Sequence, residues 1–140
     1  MKNILSLFLS QAYRDCWDDY NRSLKLKKFP RWDYVILTAS NEQQAESFRK
    51  QIEERKSFLP KHTKFVAIPD RDGKRVGSGG ATLEVLKYLR SQEESFEKLR
   101  VLVIHSGGDS KRVPQYSALG KLFSPVPHKL PNGRNSTLFD

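Results

Sequence analysis

The chain has 140 residues, 37% of them hydrophobic, which allows one compact domain and argues against two. Its single cysteine, Cys16, excludes an internal disulfide framework and fits a reducing, cytoplasmic compartment. The net charge of +9 calls for an anionic partner or ligand.

The cations form no single block. They recur as Lys25–Lys27–Lys28, Lys61–Lys64, Arg71–Lys74–Arg75, Lys111–Arg112 and Lys129–Arg134, several of them beside glycines. That spread favours a phosphate-bearing small molecule at least as much as a polynucleotide. The opening stretch MKNILSLFLS carries no small-x-small cleavage site, so a signal peptide is a poor fit. Ile4, Phe8, Ala12, Cys16, Tyr20 and Leu24 recur every four residues, which predicts an amphipathic helix and a buried or half-buried thiol at Cys16. No run is long enough to span a membrane.

Lys25 to Arg31 reads as a basic linker, so residues 1–30 form a helix-plus-linker segment ahead of an α/β domain over residues 31–140. Trp32 to Thr38 is an apolar run of the kind buried on both faces of a sheet. Ser40 with Gln43 predicts a capping-box start for a helix carrying Ala45, Phe48 and Ile52, which ends before Pro60. Lys64 to Ile68 is a second strand. The segment from Asp70 to Gly80 reads as a loop that opens into a helix with Leu83, Leu86 and Leu89. Val101 to Ile104 is a third strand. Strands alternating with helices imply a parallel sheet built from βαβ units. From Pro114 onward the prolines and weak periodicity suggest an active-site loop. Asn135 to Asp140 resembles an N-cap and an unfinished first helical turn, so the reading expects a domain truncated at its carboxyl end.

Two glycine-rich stretches carry the chemistry. In the first, Arg75–Val76–Gly77–Ser78–Gly79–Gly80–Ala81–Thr82 runs into a helix. Glycines admit close backbone approach, and a helix start offers unpaired N–H groups to a phosphate or a base edge. It is neither a dinucleotide fingerprint nor a P-loop, since Thr82 replaces the third small residue and no Gly-Lys-Ser/Thr ends it. The second, His105–Ser106–Gly107–Gly108–Asp109–Ser110–Lys111–Arg112–Val113–Pro114, leaves the end of an apolar strand, where open α/β sheets place ligands. Gly120–Lys121 adds a lysine further on. Nucleotidyl transfer needs such groups, because Arg, Lys and backbone N–H stabilise charge gathering on the α-phosphate. His105 and His128 read as structural, Asp109 as a turn residue, and no Cys/His cluster suggests zinc.

In combination, Trp32-Asp-Tyr-Val-Ile-Leu-Thr-Ala, Val76-Gly-Ser-Gly-Gly-Ala-Thr-Leu, Ile104-His-Ser-Gly-Gly-Asp-Ser-Lys-Arg-Val-Pro and Ala118-Leu-Gly-Lys-Leu-Phe resemble the fucose-1-phosphate guanylyltransferase (GDP-fucose pyrophosphorylase) family. The resemblance runs from about Arg31 to Pro127. It implies a Rossmann-like nucleotidyltransferase sheet and an enzyme that makes GDP-L-fucose and pyrophosphate from GTP and L-fucose 1-phosphate. It further implies Arg112 and Lys121 as the catalytic cations. Gly77, Ser78, Gly79, Gly80 and Thr82, with Ser106, Gly107, Gly108, Asp109 and Ser110, would bind the nucleotide. The family uses magnesium, with acidic ligands expected beyond this sequence. L-fucokinases share the Val-Gly-Ser-Gly-Gly-Ala-Thr stretch, so a kinase-family domain is the first alternative. The second, a basic RNA-binding module, needs exposed aromatics among the cations. Trp17, Tyr20, Trp32 and Phe65 instead fall on expected core positions. A third reading is a catalytically silent remnant. The sequence leaves the oligomeric state open.

Overall fold

The computed structural model describes residues 3–28, 30–74, 76–95, 97–106, 120–130 and 132–140. The chain divides into two units, Arg31–Ser124 and Met1–Pro30 with Pro125–Asp140.

The first unit is a mixed α/β body built on a three-stranded parallel sheet. Strand β1 (Tyr34–Ala39) lies between β2 (Lys64–Pro69) and β3 (Val101–His105), giving the order β2-β1-β3. In this register Tyr34 sits between Lys64 and Val101, and Thr38 between Ile68 and His105. All six residues of β1 are buried, as its apolar run predicts for a central strand. Helix α2 (Glu42–Arg55) links β1 to β2, and α3 (Gly77–Gln92) links β2 to β3. The β1-to-β2 and β2-to-β3 crossovers run in opposite directions across the sheet. Right-handed connections therefore place one helix on each face. Packing agrees. Tyr34 and Ile36 meet Val85 and Leu89 of α3, while Val35, Leu37 and Ala39 alternate onto the other face. There α2 packs, with Ala45 and Phe48 fully buried. Each fully buried Ile, Leu or Phe contributes about 1.5–3 kcal/mol, so β1 with its two helices holds this unit together.

Helix α2 starts one residue later than the Ser40/Gln43 expectation. Asn41 is the N-cap, its side chain accepting the Gln44 N–H at 2.9 Å. Gln44 is buried and must pair its amide. Its Oε1 accepts the Ser40 N–H at 2.8 Å, so the reach-back comes from Gln44 and not Gln43. Trp32 lies ahead of the strand and is 47% exposed, against its expected place in the core. Phe65 is half-buried. Gly77 to Gly80 belong to the first turn of α3 and not to a loop.

In the other unit, α1 (Ile4–Lys25) begins at Asn3, whose side chain accepts the Leu5 N–H at 3.1 Å. The helix is present, but none of its residues is buried. Trp17 and Tyr20 are half-buried. Cys16 is exposed, contrary to the buried or half-buried thiol expected from the four-residue spacing. The carboxyl-terminal stretch also departs from its reading. Pro125–Lys129 (β4) and Asn135–Thr137 (β5) pair antiparallel, where an active-site loop and a helix start were expected. A turn closed by Gly133 N–H to Leu130 C=O at 2.8 Å, with Gly133 at φ 82°, folds β5 back on β4. Asp140 accepts from both the Thr137 N–H and hydroxyl at 2.8 Å, just after β5. No helix among the described residues is long and apolar enough to cross a membrane.

Candidate active site at the carboxyl end of the sheet

Parallel sheets gather ligands outside the carboxyl ends of their strands, where the connections diverge. Here that point lies between β1 and β3, because the chain runs from β1 outward to β2 and then crosses back to β3 on the other side of β1. The polar residues closing this crevice form a connected set. Ser106, just past β3, donates its hydroxyl to the Thr38 carbonyl at 2.8 Å. His105 Nδ1 is 3.3 Å from Thr38 Oγ1, and its Nε2 is 3.4 Å from Thr82 Oγ1 on α3. The Thr82 hydroxyl donates to the Ser78 carbonyl at 2.9 Å. The Thr82 hydroxyl thus lies between the Ser78 carbonyl and the imidazole. One imidazole thus ties the ends of β1 and β3 to the start of α3.

The start of α3 is open. Val76 is the N-cap and gives no side-chain hydrogen bond, and among the described residues no side chain accepts from the first-turn N–H groups. The glycines there have different reasons to be glycine. Gly77 sits at φ 68°, where a side chain is strained. A Cβ on Gly80 would lie 2.5 Å from that of Val76, so packing excludes one. At Gly79 neither applies, since φ is ordinary and the space is empty.

Gly120 closes another side. It is buried at φ 67°, and a Cβ there would meet Phe48 at 3.3 Å and the Ser106 carbonyl at 3.5 Å. This close approach sets Lys121 directly after the contact with Ser106. Lys121 opens a single 3-10 turn, Lys121–Phe123, and is exposed. Phe123 is buried, packed on Phe48 at 5.4 Å with the Arg55 guanidinium over its ring.

The structure therefore brings Ser78, Thr82 and Ser106 together, with Gly77, Gly79 and Gly80 in the same helical turn. Lys121 is placed through Gly120. Gly107, Gly108, Asp109, Ser110 and Arg112 lie outside the described residues, as does Arg75. Thr38 and Gly120 were missed as supports by sequence reasoning. A lone hydroxyl in an apolar strand was the available signal for Thr38. Among the described residues, no three His, Cys, Asp or Glu side chains gather to hold a metal ion.

Three groups with shifted proton affinities meet at the opposite end of the sheet. Tyr34 donates to Glu93 Oε1 at 2.5 Å, and Lys64 Nζ donates to the Tyr34 oxygen at 2.9 Å and to Glu93 at 3.1 Å. Burial, then the bond to Glu93, pushes the Tyr34 hydroxyl up. Bonds from Tyr34 and Lys64 hold the Glu93 carboxyl below its usual range, and those to Tyr34 and Glu93 raise Lys64. Every member is partnered, so this is a structural clamp across β1, β2 and the end of α3.

A fucose pyrophosphorylase domain matches residues 93–140. Across 94% of its length the chain aligns at 34% identity with a bifunctional fucokinase/GDP-fucose pyrophosphorylase of Arabidopsis thaliana. Fucose-1-phosphate guanylyltransferases of Mus musculus and Homo sapiens align with 69% of it, at 41% and 36% identity. The chain is a relative of the fucose pyrophosphorylases. It spans only 15%, 17% and 16% of the length of those three relatives. No solved structure matches it. The fucose pyrophosphorylase match begins at Glu93, so it takes in His105, Ser106 and Lys121 but not the α3 glycines.

Proposed function

We propose that this chain carries part of the nucleotide grip of a sugar-1-phosphate guanylyltransferase on a Rossmann-like sheet. The reaction joins GTP and L-fucose 1-phosphate to give GDP-L-fucose and pyrophosphate. One observation supports this above the rest: an uncapped, glycine-built helix start tied by Thr82 and His105 to the carboxyl ends of β1 and β3. Backbone N–H groups from Gly77 to Gly80 hold an anion or base edge. The phosphate oxygen of the sugar phosphate is already ionised and attacks the α-phosphorus of GTP. A P–O bond forms to the sugar phosphate, the bond to the β-phosphate breaks, and pyrophosphate leaves with the electron pair. No general base is needed. Arg112 and Lys121 stabilise the charge that builds on the α-phosphate and the leaving group. Gly107, Gly108, Asp109 and Ser110 complete the phosphate cradle in this proposal, and magnesium is bound by groups other than those described here.

Similarity to the bifunctional Arabidopsis protein supports a second reading, in which this kind of domain serves a protein that also phosphorylates fucose. Calorimetric titration of the chain with GTP, ATP and a short RNA separates the readings. GTP binding tighter than either control supports the guanylyltransferase grip. Preference for ATP supports the kinase association, and a folded chain that takes up RNA alone contradicts both.

A further inference from the structure

The unit made of α1, β4 and β5 has a cleft of its own, about 390 Å³, lined by Ser10 and Arg14 of α1 together with His128, Lys129 and Asn135 of the hairpin. That volume lies within the range of small-molecule sites, roughly 300–1,000 Å³. None of the lining residues is acidic, and three are basic. Among the described residues the Arg14 guanidinium has no ion-pair or hydrogen-bond partner, which leaves all five of its N–H donors unused. Lys129 Nζ gives one of its three protons to Asn135 Oδ1 at 2.6 Å and keeps two. His128 is stacked face to face on Tyr13, with ring centroids 5.6 Å apart and planes 17° from parallel. His128 thus brings an imidazole to the same lining. Like charges held together without a carboxylate repel one another, so the arrangement is at its most favourable with an anion between them.

We infer that this cleft binds the phosphate group of a small phosphorylated metabolite, with Arg14 taking it bidentately and Lys129 and His128 completing the cradle. Its residues are separate from those of the candidate active site, and the inference does not depend on the guanylyltransferase reading. A polynucleotide is the less suitable occupant. Its backbone calls for a track of cations, whereas Arg14 and Lys129 converge on one cleft flanked by Val126 and Pro127.

The test is amide-resolved NMR of the full chain, titrated separately with inorganic phosphate, glycerol 3-phosphate and a twelve-nucleotide RNA. Phosphate and the phosphomonoester should move the signals of Arg14, His128, Lys129 and Asn135. Arg14→Ala and Lys129→Gln should each weaken that response about tenfold, the effect of losing a charge-assisted hydrogen bond. Lys121→Ala, in the other unit, should leave it unchanged. Arg14 is exposed on its helix, and an unaltered circular dichroism spectrum identifies a folded variant; Lys129→Gln provides the independent check. Shifts spread evenly over the surface lysines, or variants that titrate like the unchanged chain, overturn the proposal. So does RNA binding that also moves Lys25, Lys27 and Lys28 more tightly than the phosphomonoester moves the cleft.

Discussion

The apolar runs Tyr34–Ala39 and Ile4–Leu9 are close in composition, yet every residue of the first is buried and none of the second is. Ile36 and Leu37 have no exposure, whereas Phe8 retains 68% of its surface. The difference is one of neighbours. Strand β1 has a hydrogen-bonded strand on each side and a helix on each face. Within its own unit, α1 packs against the edge of a two-stranded hairpin. An apolar run specifies a wish to be buried, and only topology supplies the cover.

Substitutions should sharpen this contrast. Phe48→Ala removes a fully buried ring that supports both β1 and Phe123. It should cost about 3–5 kcal/mol in urea unfolding, and a loss below ~1 kcal/mol would mean that α2 does not hold the sheet. Gly120→Ala forces a side chain into φ 67° against Phe48. The expected cost is about 1–3 kcal/mol, together with weaker nucleotide binding as Lys121 shifts. Asn41→Ala deletes the cap of α2 and should cost about 0.5–2 kcal/mol, whereas Ser40→Ala should cost less. The clamp at the amino end predicts a pH effect. Glu93 has a depressed folded-state pKa, so its contribution is present above the unfolded carboxylate pKa and is lost as pH falls through the folded one. Thermal melts should show that acid loss in the unchanged chain and a smaller one in Glu93→Gln. Least of all, Phe8→Ser should change stability by no more than ~0.5 kcal/mol. A large loss there would show that α1 is covered after all.

The α/β class, the parallel sheet and the long helices were legible because each leaves a local period: a continuous run at β1, helical spacing at Ala45 and Phe48, a glycine-to-Leu stretch at α3. The hairpin was not legible. Its strands Pro125–Lys129 and Asn135–Thr137 contain prolines and polar residues, and they are held by a turn at Gly133 and by the Lys129–Asn135 bond, not by an apolar alternation. Cys16 and Trp32 were misplaced for the reason that separates β1 from α1: periodicity cannot say whether a partner exists. At the site, the glycines and Ser106 were picked out by residue type. The link through His105 was invisible, because Thr38, Thr82 and His105 are brought together only by the register of β1 with β3 and the crossover of α3.

The central claim is that the opening turn of α3 and the ends of β1 and β3 form a guanine-nucleotide grip. Its most direct test is the change in amide NMR signals of the full chain on adding GTP. The account predicts that Ser78, Gly79, Gly80, Thr82, Ser106 and Lys121 move together and saturate at one concentration, with Lys121→Ala weakening that response by about 1.5–3 kcal/mol. Saturating GTP that leaves those amides unmoved in a folded chain would contradict it.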